Sequence, residues 1–198
     1  MVSLPEDIQN YLPYYLTEER KSGLLKALAD FPDNFEYYQQ YNANSESLQG
    51  DGWRGVQVIN FQTGEKCEIL GIILSNSCDI SPENHRELPA RITFAPVIAL
   101  GAYENLLRKS GIIEQSIVSK LQSIRLQQVT DVFFLPAGGD LEEDHIALLN
   151  DLHSMPYSSF EAARKRSKAF MLSMCGFYMF LLKLSIHFCR FHENLDRA

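Results

Sequence analysis

The stretch LGIILSNSCDISPENH, from Leu70 to His85, decides the fold class of this chain. It begins with a nearly continuous apolar run, which predicts a strand that is buried on both faces. The run ends in small polar residues that favour a turn. This turn carries Cys78 and Asp79, and His85 follows six residues after the aspartate. Such a strand end can be the rim of a catalytic site, a metal site, or a turn whose thiol has no chemical role.

Four further segments around this strand also predict β-structure, because they combine apolar runs or alternation with flanking turn residues. They are WRGVQVINF (53–61), ARITFAPVIAL (90–100), VTDVFFLPAGG (129–139) and DHIALLNDLHSMP (144–156). Apolar residues at helical spacing predict an inserted helix from about Tyr103 to Gln127. Pro96 is expected only at a sheet edge or a bulge. Because strands and helices do not alternate regularly, we predict an α+β fold with an antiparallel sheet or small barrel.

The two ends of the chain predict helices. We divide the chain into a helical extension and loop (1–52), the sheet with its inserted helix (53–156) and a C-terminal helix (157–198). That last helix could run unbroken for about 30 residues from Phe160. Its most apolar part, 169–182, would be about 21 Å long, which is short of a bilayer core of about 30 Å. We therefore favour a helix in the core, or one covered by a partner protein, over a tail anchor in a membrane.

The charge balance argues against a general affinity for nucleic acid. The chain has 198 residues, a net charge of −7 and a pI near 5.2, whereas phosphate binding favours a basic face. The densest basic run, RKRSK from Arg164 to Lys168, is interpreted as the solvated first turn of a helix. No signal peptide is recognisable at the start, and none of the four cysteines forms a C-x-x-C pair. We expect a cytoplasmic protein with reduced thiols.

A catalytic cysteine at the opening turn would need a base and an orienting group close to the thiol. His85 is separated from Cys78 by the segment ISPEN and need not fold back toward it. The serines, the asparagine and the aspartate of the turn all favour hydrogen bonds to the local backbone. We therefore prefer a polar binding or structural role, with Ser75, Asn76 and His85 as the ligand-binding candidates.

Two other clusters contain potential metal ligands. The segment HFCRFHE contains His187, Cys189 and His192. On a helix, however, His187 and Cys189 would lie on different sides. No second cluster has the spacing of a zinc site. The acidic segment DLEEDH (140–145) matches no calcium loop. We predict neither a metal site nor a cofactor.

Three segments together resemble the PemK/MazF-like toxin family. They are GWRGVQVINFQTGEKCEILGIILSNSCDI, ITFAPVIAL and DVFFLP, and the resemblance covers about 53–156. It implies a small SH3-like β-barrel, here with N-terminal helices, an inserted helix and a long C-terminal helix. It also implies RNA cleavage by an arginine before the LSN strand and a hydroxyl residue after the later proline. This chain has Lys66 but no arginine there, and VIAL follows Pro96. The resemblance therefore implies the barrel without the nuclease site, with Lys66, Ser75 and Asn76 lining the equivalent pocket.

The sequence leads to one main hypothesis and two alternatives. The main hypothesis is a non-catalytic subunit of a bacterial protein complex, which the resemblance associates with toxin–antitoxin or phage-defence systems. Its partner surface would lie on the C-terminal helix and include Phe177, Phe180, Leu181 and Leu184. The first alternative is an endoribonuclease toxin with a rebuilt site of Lys66, Cys78 and Asp79, although the acidic pI disfavours RNA. The second alternative is the tail-anchored protein, which the length argument disfavours.

Overall fold

The computed structural model describes residues 18–29, 31–33, 35–39, 46–60, 62–84 and 86–189. These residues form a mixed α/β fold with an antiparallel sheet of seven strands. The strands are β1 (Gly52–Ile59), β2 (Lys66–Ile73), β3 (Arg91–Ala99), β4 (Val132–Leu135), β5 (His145–Leu148), β6 (His153–Pro156) and β7 (Ser167–Phe170). The helices are α1 (Glu18–Ala29), α2 (Ser77–Ile80), α3 (Leu100–Lys109), α4 (Glu114–Arg125), α5 (Tyr157–Glu161) and α6 (Met174–Phe188). His85, His192 and the chain before Glu18 lie outside the described residues.

The centre of the sheet is the pair β2 and β3, as the apolar run predicts. The strand order is β4-β5-β3-β2-β1-β7, and β6 also pairs with β3. Successive residues of β2 contribute to different core clusters: Ile72 belongs to the larger cluster and Ile73 to a second one around Trp53 and Phe160. Because side chains alternate between the faces of a strand, the sheet is covered on both faces at this end of β2. The first residues of β2, from Lys66 to Glu68, are exposed.

Pro96 lies in the central strand β3, and it is accommodated because the neighbour of β3 changes at this point. On one side Pro96 pairs with Gly71 of β2. On the other side β3 pairs with β6 up to Phe94 and with β5 from Val97 onward. Pro96 therefore falls between two ladders, where its missing N–H removes no pairing to β5 or β6. The expectation of an edge or bulge position was wrong. Its physical reason, that proline has no N–H to donate to a neighbouring strand, still applies.

The predicted closed barrel is not confirmed, because the sheet ends at β4 on one side and at β7 on the other. The sheet is nevertheless curled enough to bring the two ends close together. The backbone N–H of Asp140, just after β4, donates to the carbonyl of Ala169 in β7 at 2.8 Å. A guanidinium N–H of Arg54 in β1 donates to the carbonyl of Asp140, also at 2.8 Å. In the described residues the gap is thus crossed by single hydrogen bonds rather than by a ladder.

Two helix predictions were wrong. The inserted helix is divided into α3 and α4 by a turn at Ser110–Gly111, where Gly111 has a φ of 76° that favours glycine. The long C-terminal helix is instead the short helix α5, the strand β7 and the helix α6. The basic run RKRSK is therefore not a helical turn: its last two residues, Ser167 and Lys168, pair with β1. The predicted fifth strand is also divided, into β5 and β6.

Helix α6 is held against the domain by its apolar side and by one buried lysine. Met179 and Phe180 are buried, and Gly176 lies so close to the carbonyl oxygen of Tyr37 that a Cβ would stand 2.3 Å from it. Lys183 is only 3% exposed, and its Nζ donates to the carbonyl of Gln127. Burial lowers the pKa of Lys183 to about 8, although Asp131 opposes this shift. Within the described residues, no helix has the length and apolar character needed to cross a membrane.

The stability of the protein should rise with pH between about 8 and 10.5 because of Lys183. Its folded pKa of about 8 lies below the ordinary lysine pKa of 10.5, so in this window the unfolded chain holds more protons. Folding therefore releases up to one proton in this window. The free energy of unfolding then rises by at most about 1.4 kcal/mol for each pH unit. The measurement is urea unfolding at pH 7, 8, 9 and 10 for the native protein and Lys183→Met. We expect the stability difference between the two proteins to move in favour of the native protein as pH rises; a constant difference would contradict this assignment.

Candidate functional site

The turn after β2 uses its polar side chains internally. The Oγ of Ser75 accepts a hydrogen bond from the backbone N–H of Thr93 at 2.7 Å. The Oδ1 of Asn76 accepts from the N–H of Cys78 at 2.9 Å and so caps the short helix α2. The two ligand-binding candidates that the structure describes therefore hold the turn together. His85, the third, lies outside the described residues.

Cys78 and Asp79 lie on α2 and are both exposed. The described hydrogen bonds of Cys78 involve its backbone: its carbonyl accepts from Asn84 and, at 2.8 Å, from a guanidinium N–H of Arg86. Arg86 also donates to the carbonyl of Ser81 at 3.2 Å. Arg86 thus closes the segment after α2 into a compact loop, and no described base contacts the thiol.

A cavity of about 400 Å³ opens beside this loop, and we name it the acidic cleft. Three separate segments form it: the chain before β1, the loop around α2, and α5. Its lining consists of Glu46, Ser47, Leu48, Ser77, Cys78, Ser81, Pro82, Glu83, Tyr157 and Glu161. The lining therefore contains three carboxylates and no lysine, arginine or histidine. Sequence reasoning missed this site because the three segments are far apart in the chain.

One wall of the acidic cleft is fixed by a buried ion pair. The Nζ of Lys168 lies 2.8 Å from the Oδ2 of Asp51, and the two side chains are 4% and 2% exposed. Lys168 also donates to the carbonyl of Glu46 at 2.8 Å, and Asp51 accepts from the N–H of Leu48 at 3.0 Å. Burial raises the pKa of Asp51, while the hydrogen bonds from Lys168 and Leu48 oppose that rise. The pair therefore holds the backbone of Glu46 and Leu48 in place.

Described residues near this ion pair, in the sequence or in space, carry buried polar atoms without partners; the Nζ of Lys168, for example, lies 5.3 Å from the ring centre of Trp53. Among the described residues, the Oγ of Ser47, the Nε1 of Trp53 and an Nη1 of Arg166 are buried without a hydrogen-bond partner. The guanidinium carbon of Arg166 lies 4.7 Å from the ring centre of Trp53 and 4.6 Å from that of Phe160. Cation–π contacts on both rings stabilise this arginine. The three orphaned atoms mark this region as the least satisfied part of the described core, since buried polar atoms are normally hydrogen-bonded.

A second cavity, of about 370 Å³, lies near the opposite end of β2, and we name it the Lys66 cavity. Its lining consists of Gln57, Val58, Ile59, Lys66, Phe94, Leu152, His153, Ser154, Met155, Pro156 and Ser159. The ring of His153 stacks on Phe94 with centroids 5.8 Å apart. The Nε2 of His153 lies 3.3 Å from the Oδ1 of Asp151. This cavity therefore combines one lysine with a histidine that a carboxylate orients.

The three residues of the predicted nuclease site are not brought together. Lys66 begins β2, whereas Cys78 and Asp79 follow its other end. At about 3.3 Å per residue, the strand from Lys66 to Ile73 alone spans roughly 23 Å. Lys66 and Cys78 accordingly line different cavities. The grouping was wrong because it relied on proximity in sequence across an extended strand.

The predicted partner residues on α6 mostly face inward. Phe180 is completely buried, Phe177 and Leu184 pack against the larger core cluster, and Leu181 is partly buried. Other large apolar side chains of α6 are exposed instead, and we name these four the outer face of α6. They are Met174 (46% exposed), Leu182 (52%), Ile186 (44%) and Phe188 (56%). The pattern of exposure along α6 could not be read from the sequence, because the helix is apolar on nearly all sides.

No three His, Cys, Asp or Glu side chains of the described residues lie close enough together to hold a metal ion. A comparison with models of known protein families finds no match for this chain, and a search of curated proteins finds no similar sequence. The two cavities and the outer face of α6 are therefore the features from which a function can be inferred.

Replacing Lys168 by methionine should destabilise the protein by about 3 to 5 kcal/mol, because Asp51 would remain as an unpaired buried charge. The double variant Asp51→Asn/Lys168→Met should lose less than the sum of the two single variants, since it removes both charges. Urea unfolding at pH 7 measures all three free energies.

The matched control is Lys165→Met, which breaks the exposed ion pair between Lys165 and Glu68 (77% and 42% exposed). Exposed pairs contribute less than about 1 kcal/mol. Equal losses for Lys168→Met and Lys165→Met would show that the buried pair has no special structural role.

Proposed function

We propose that this chain is a non-catalytic subunit of a protein complex and that it binds its partner through the outer face of α6. The observation that carries the proposal is the exposure of four large apolar side chains on one helix. Met174, Leu182 and Ile186 follow helical spacing along one side, with Phe188 near the end. Contiguous exposed apolar surface on a folded domain commonly marks a protein interface.

The chemistry of this face indicates what kind of partner fits it. The ionisable residues Lys183 and His187 of α6 are turned inward, where they contact the carbonyls of Gln127 and Thr130. The outer face consequently presents no charge of its own, while the whole chain carries a net charge of −7. The partner we propose is a protein segment with an apolar centre that packs on α6 and with lysine or arginine residues around it. Opposite charges at the rim would speed association and favour the correct partner.

The biological setting remains part of the proposal. The resemblance to PemK/MazF-like toxins suggests a toxin–antitoxin or phage-defence system, and the curled antiparallel sheet is compatible with descent from an SH3-like barrel. Fold likeness does not transfer activity, so the assignment as a complex subunit depends on the α6 surface.

The double variant Leu182→Glu/Ile186→Glu should abolish partner binding, because two carboxylates would be buried against an apolar surface. The matched control is Val118→Glu, since Val118 is 57% exposed and lies on a different helix, α4. Each tagged protein is expressed in its native cells and purified in mild detergent, and the co-purifying proteins are identified by mass spectrometry. We expect one stoichiometric protein with the native chain and with Val118→Glu, and none with the double variant.

That protein must then bind the purified native chain directly, as measured by calorimetry, with an affinity that the double variant reduces at least 100-fold. If it binds the native chain and the double variant equally well, or if the native chain purifies alone, the α6 proposal is wrong. Circular dichroism of the double variant checks that the fold is intact.

A second candidate function is RNA cleavage in the Lys66 cavity, which the pairing of His153 with Asp151 favours. Asp151 contacts the Nε2 of His153 and so leaves Nδ1 as the proton acceptor. In this hypothesis His153 removes the proton from a ribose hydroxyl as that oxygen attacks the adjacent phosphate. Lys66 stabilises the phosphate charge, and the departing 5′-oxygen takes a proton from the protonated histidine.

This alternative predicts that the purified native protein cleaves RNA and that Lys66→Ala or His153→Asn lowers the rate at least about 100-fold. Cys78→Ala, in the other cavity, should cleave at the native rate. Labelled single-stranded RNA resolved on denaturing gels gives the rates. Intact RNA after prolonged incubation with native protein would exclude the second candidate and leave the α6 proposal unaffected.

A further inference from the structure

We infer that the acidic cleft is a binding site for a cationic group, an ammonium or guanidinium, carried on a short apolar chain. This inference is independent of the partner proposed for α6, because it rests on the cleft lining alone.

The charge of the cleft selects a cation. Glu83 and Glu161 come from two different segments of the lining, one after α2 and one at the end of α5. Neither carboxylate makes an ion pair or hydrogen bond with another described residue, so both can accept hydrogen bonds from a ligand. Glu46 adds a third carboxylate to the lining. A carboxylate or phosphate ligand would meet the like charges of Glu83 and Glu161 here, whereas a guanidinium can donate to two carboxylates at once.

Three cations carried by segments next to the cleft lining are engaged by other groups of the protein. Lys168 is buried and neutralised by Asp51 at 2.8 Å. Arg86 donates to the carbonyls of Cys78 and Ser81, and the guanidinium of Arg166 lies against the rings of Trp53 and Phe160. None of these three side chains belongs to the lining. The surface that a ligand would touch is therefore acidic.

Ser47 provides a second, independent indication of a ligand. It is 7% exposed, it belongs to the lining, and its Oγ is buried with no hydrogen-bond partner among the described residues. A hydroxyl left unsatisfied in a folded protein loses the hydrogen bonds it would make with water. A change of χ1 would turn this hydroxyl from its buried position into the cleft, where an N–H group of a ligand can restore one of them.

The remaining lining suits the apolar part of such a ligand. Leu48 and Pro82 offer apolar contacts for methylene groups, and Tyr157 offers an aromatic ring. Aromatic rings attract ammonium and guanidinium groups through their π-electrons. A cavity of about 400 Å³ also lies within the range of small-molecule sites.

The same cationic chemistry can come from a free small amine or from a basic side chain of another protein. Agmatine represents the free small cation, and N-acetyl-arginine amide represents the protein side chain. N-acetyl-citrulline amide has nearly the same shape as the arginine probe but no charge. Calorimetry on the full-length protein in low salt should detect saturable binding of at least one cationic probe and none of the citrulline probe. The tighter of the two cationic probes identifies the source.

Glu83→Gln/Glu161→Gln should weaken the binding of the better probe at least about tenfold, because both charge-assisted hydrogen bonds are weakened. Glu142→Gln/Glu143→Gln is the matched control: it removes two exposed carboxylates outside the lining and changes the net charge equally. Native-like binding by this control supports the inference. Equal weakening in both double variants would show that only the net charge matters and would overturn it, as would equal binding of the citrulline probe or no binding of either cation.

The thiols give a second measurement that does not require a variant. Cys78 lines the cleft, whereas Cys67 is also exposed but lies outside it. A saturating cationic probe should slow the alkylation of Cys78 by iodoacetamide and leave that of Cys67 unchanged, as followed by peptide mass spectrometry. Unaltered alkylation of Cys78 at a saturating probe concentration would place the bound cation elsewhere and contradict the assignment.

Discussion

The ion pair between Asp51 and Lys168 is the constraint that joins one end of the sheet to the wall of the acidic cleft. Asp51 immediately precedes β1 and Lys168 lies in β7, so the pair joins two neighbouring strands in the protein interior. Either charge alone would be costly to bury, and each therefore requires the other. The same two side chains bind the backbone at Glu46 and Leu48, so the segment that walls the acidic cleft is fixed by the pair that fixes the strands.

The central strands could be predicted because their signal is local. The apolar run in β2 requires cover on both faces, and Ile72 and Ile73 do enter different core clusters. Lys168 was misread because its environment is set by a distant residue. A lysine in a basic run is normally solvated, and only the pairing of β7 with β1 brings it to Asp51. The same pairing makes residues 167–170, inside the predicted C-terminal helix, a strand, since long-range contacts override local helix propensity.

The sites show the same division between local and long-range information. The polar turn after β2 was found, but Ser75 and Asn76 satisfy the backbone, and the neighbouring Ser77, Cys78 and Ser81 line the cleft. The rest of that lining comes from segments before β1 and after β6, which no spacing rule connects to the turn. On α6, the sequence identified the helix as an apolar surface but could not assign its sides. That assignment depends on where Gly176 allows the helix to approach Tyr37.

The acidic cleft and the outer face of α6 meet at a third, smaller cavity of about 200 Å³. This cavity shares Leu48 and Ser77 with the cleft, and it includes Met174, the first residue of the outer face. Asp51 also lines it, so the buried ion pair lies behind the junction of the two surfaces. A protein segment packed along α6 toward Met174, as we propose, would reach the mouth of the cleft through this cavity. An apolar segment with a basic residue at one end would match these adjoining surfaces, because its apolar part would face α6 and its basic residue would face the acidic cleft. Apolar contact on α6 would then contribute binding energy, and the cleft would select the charge.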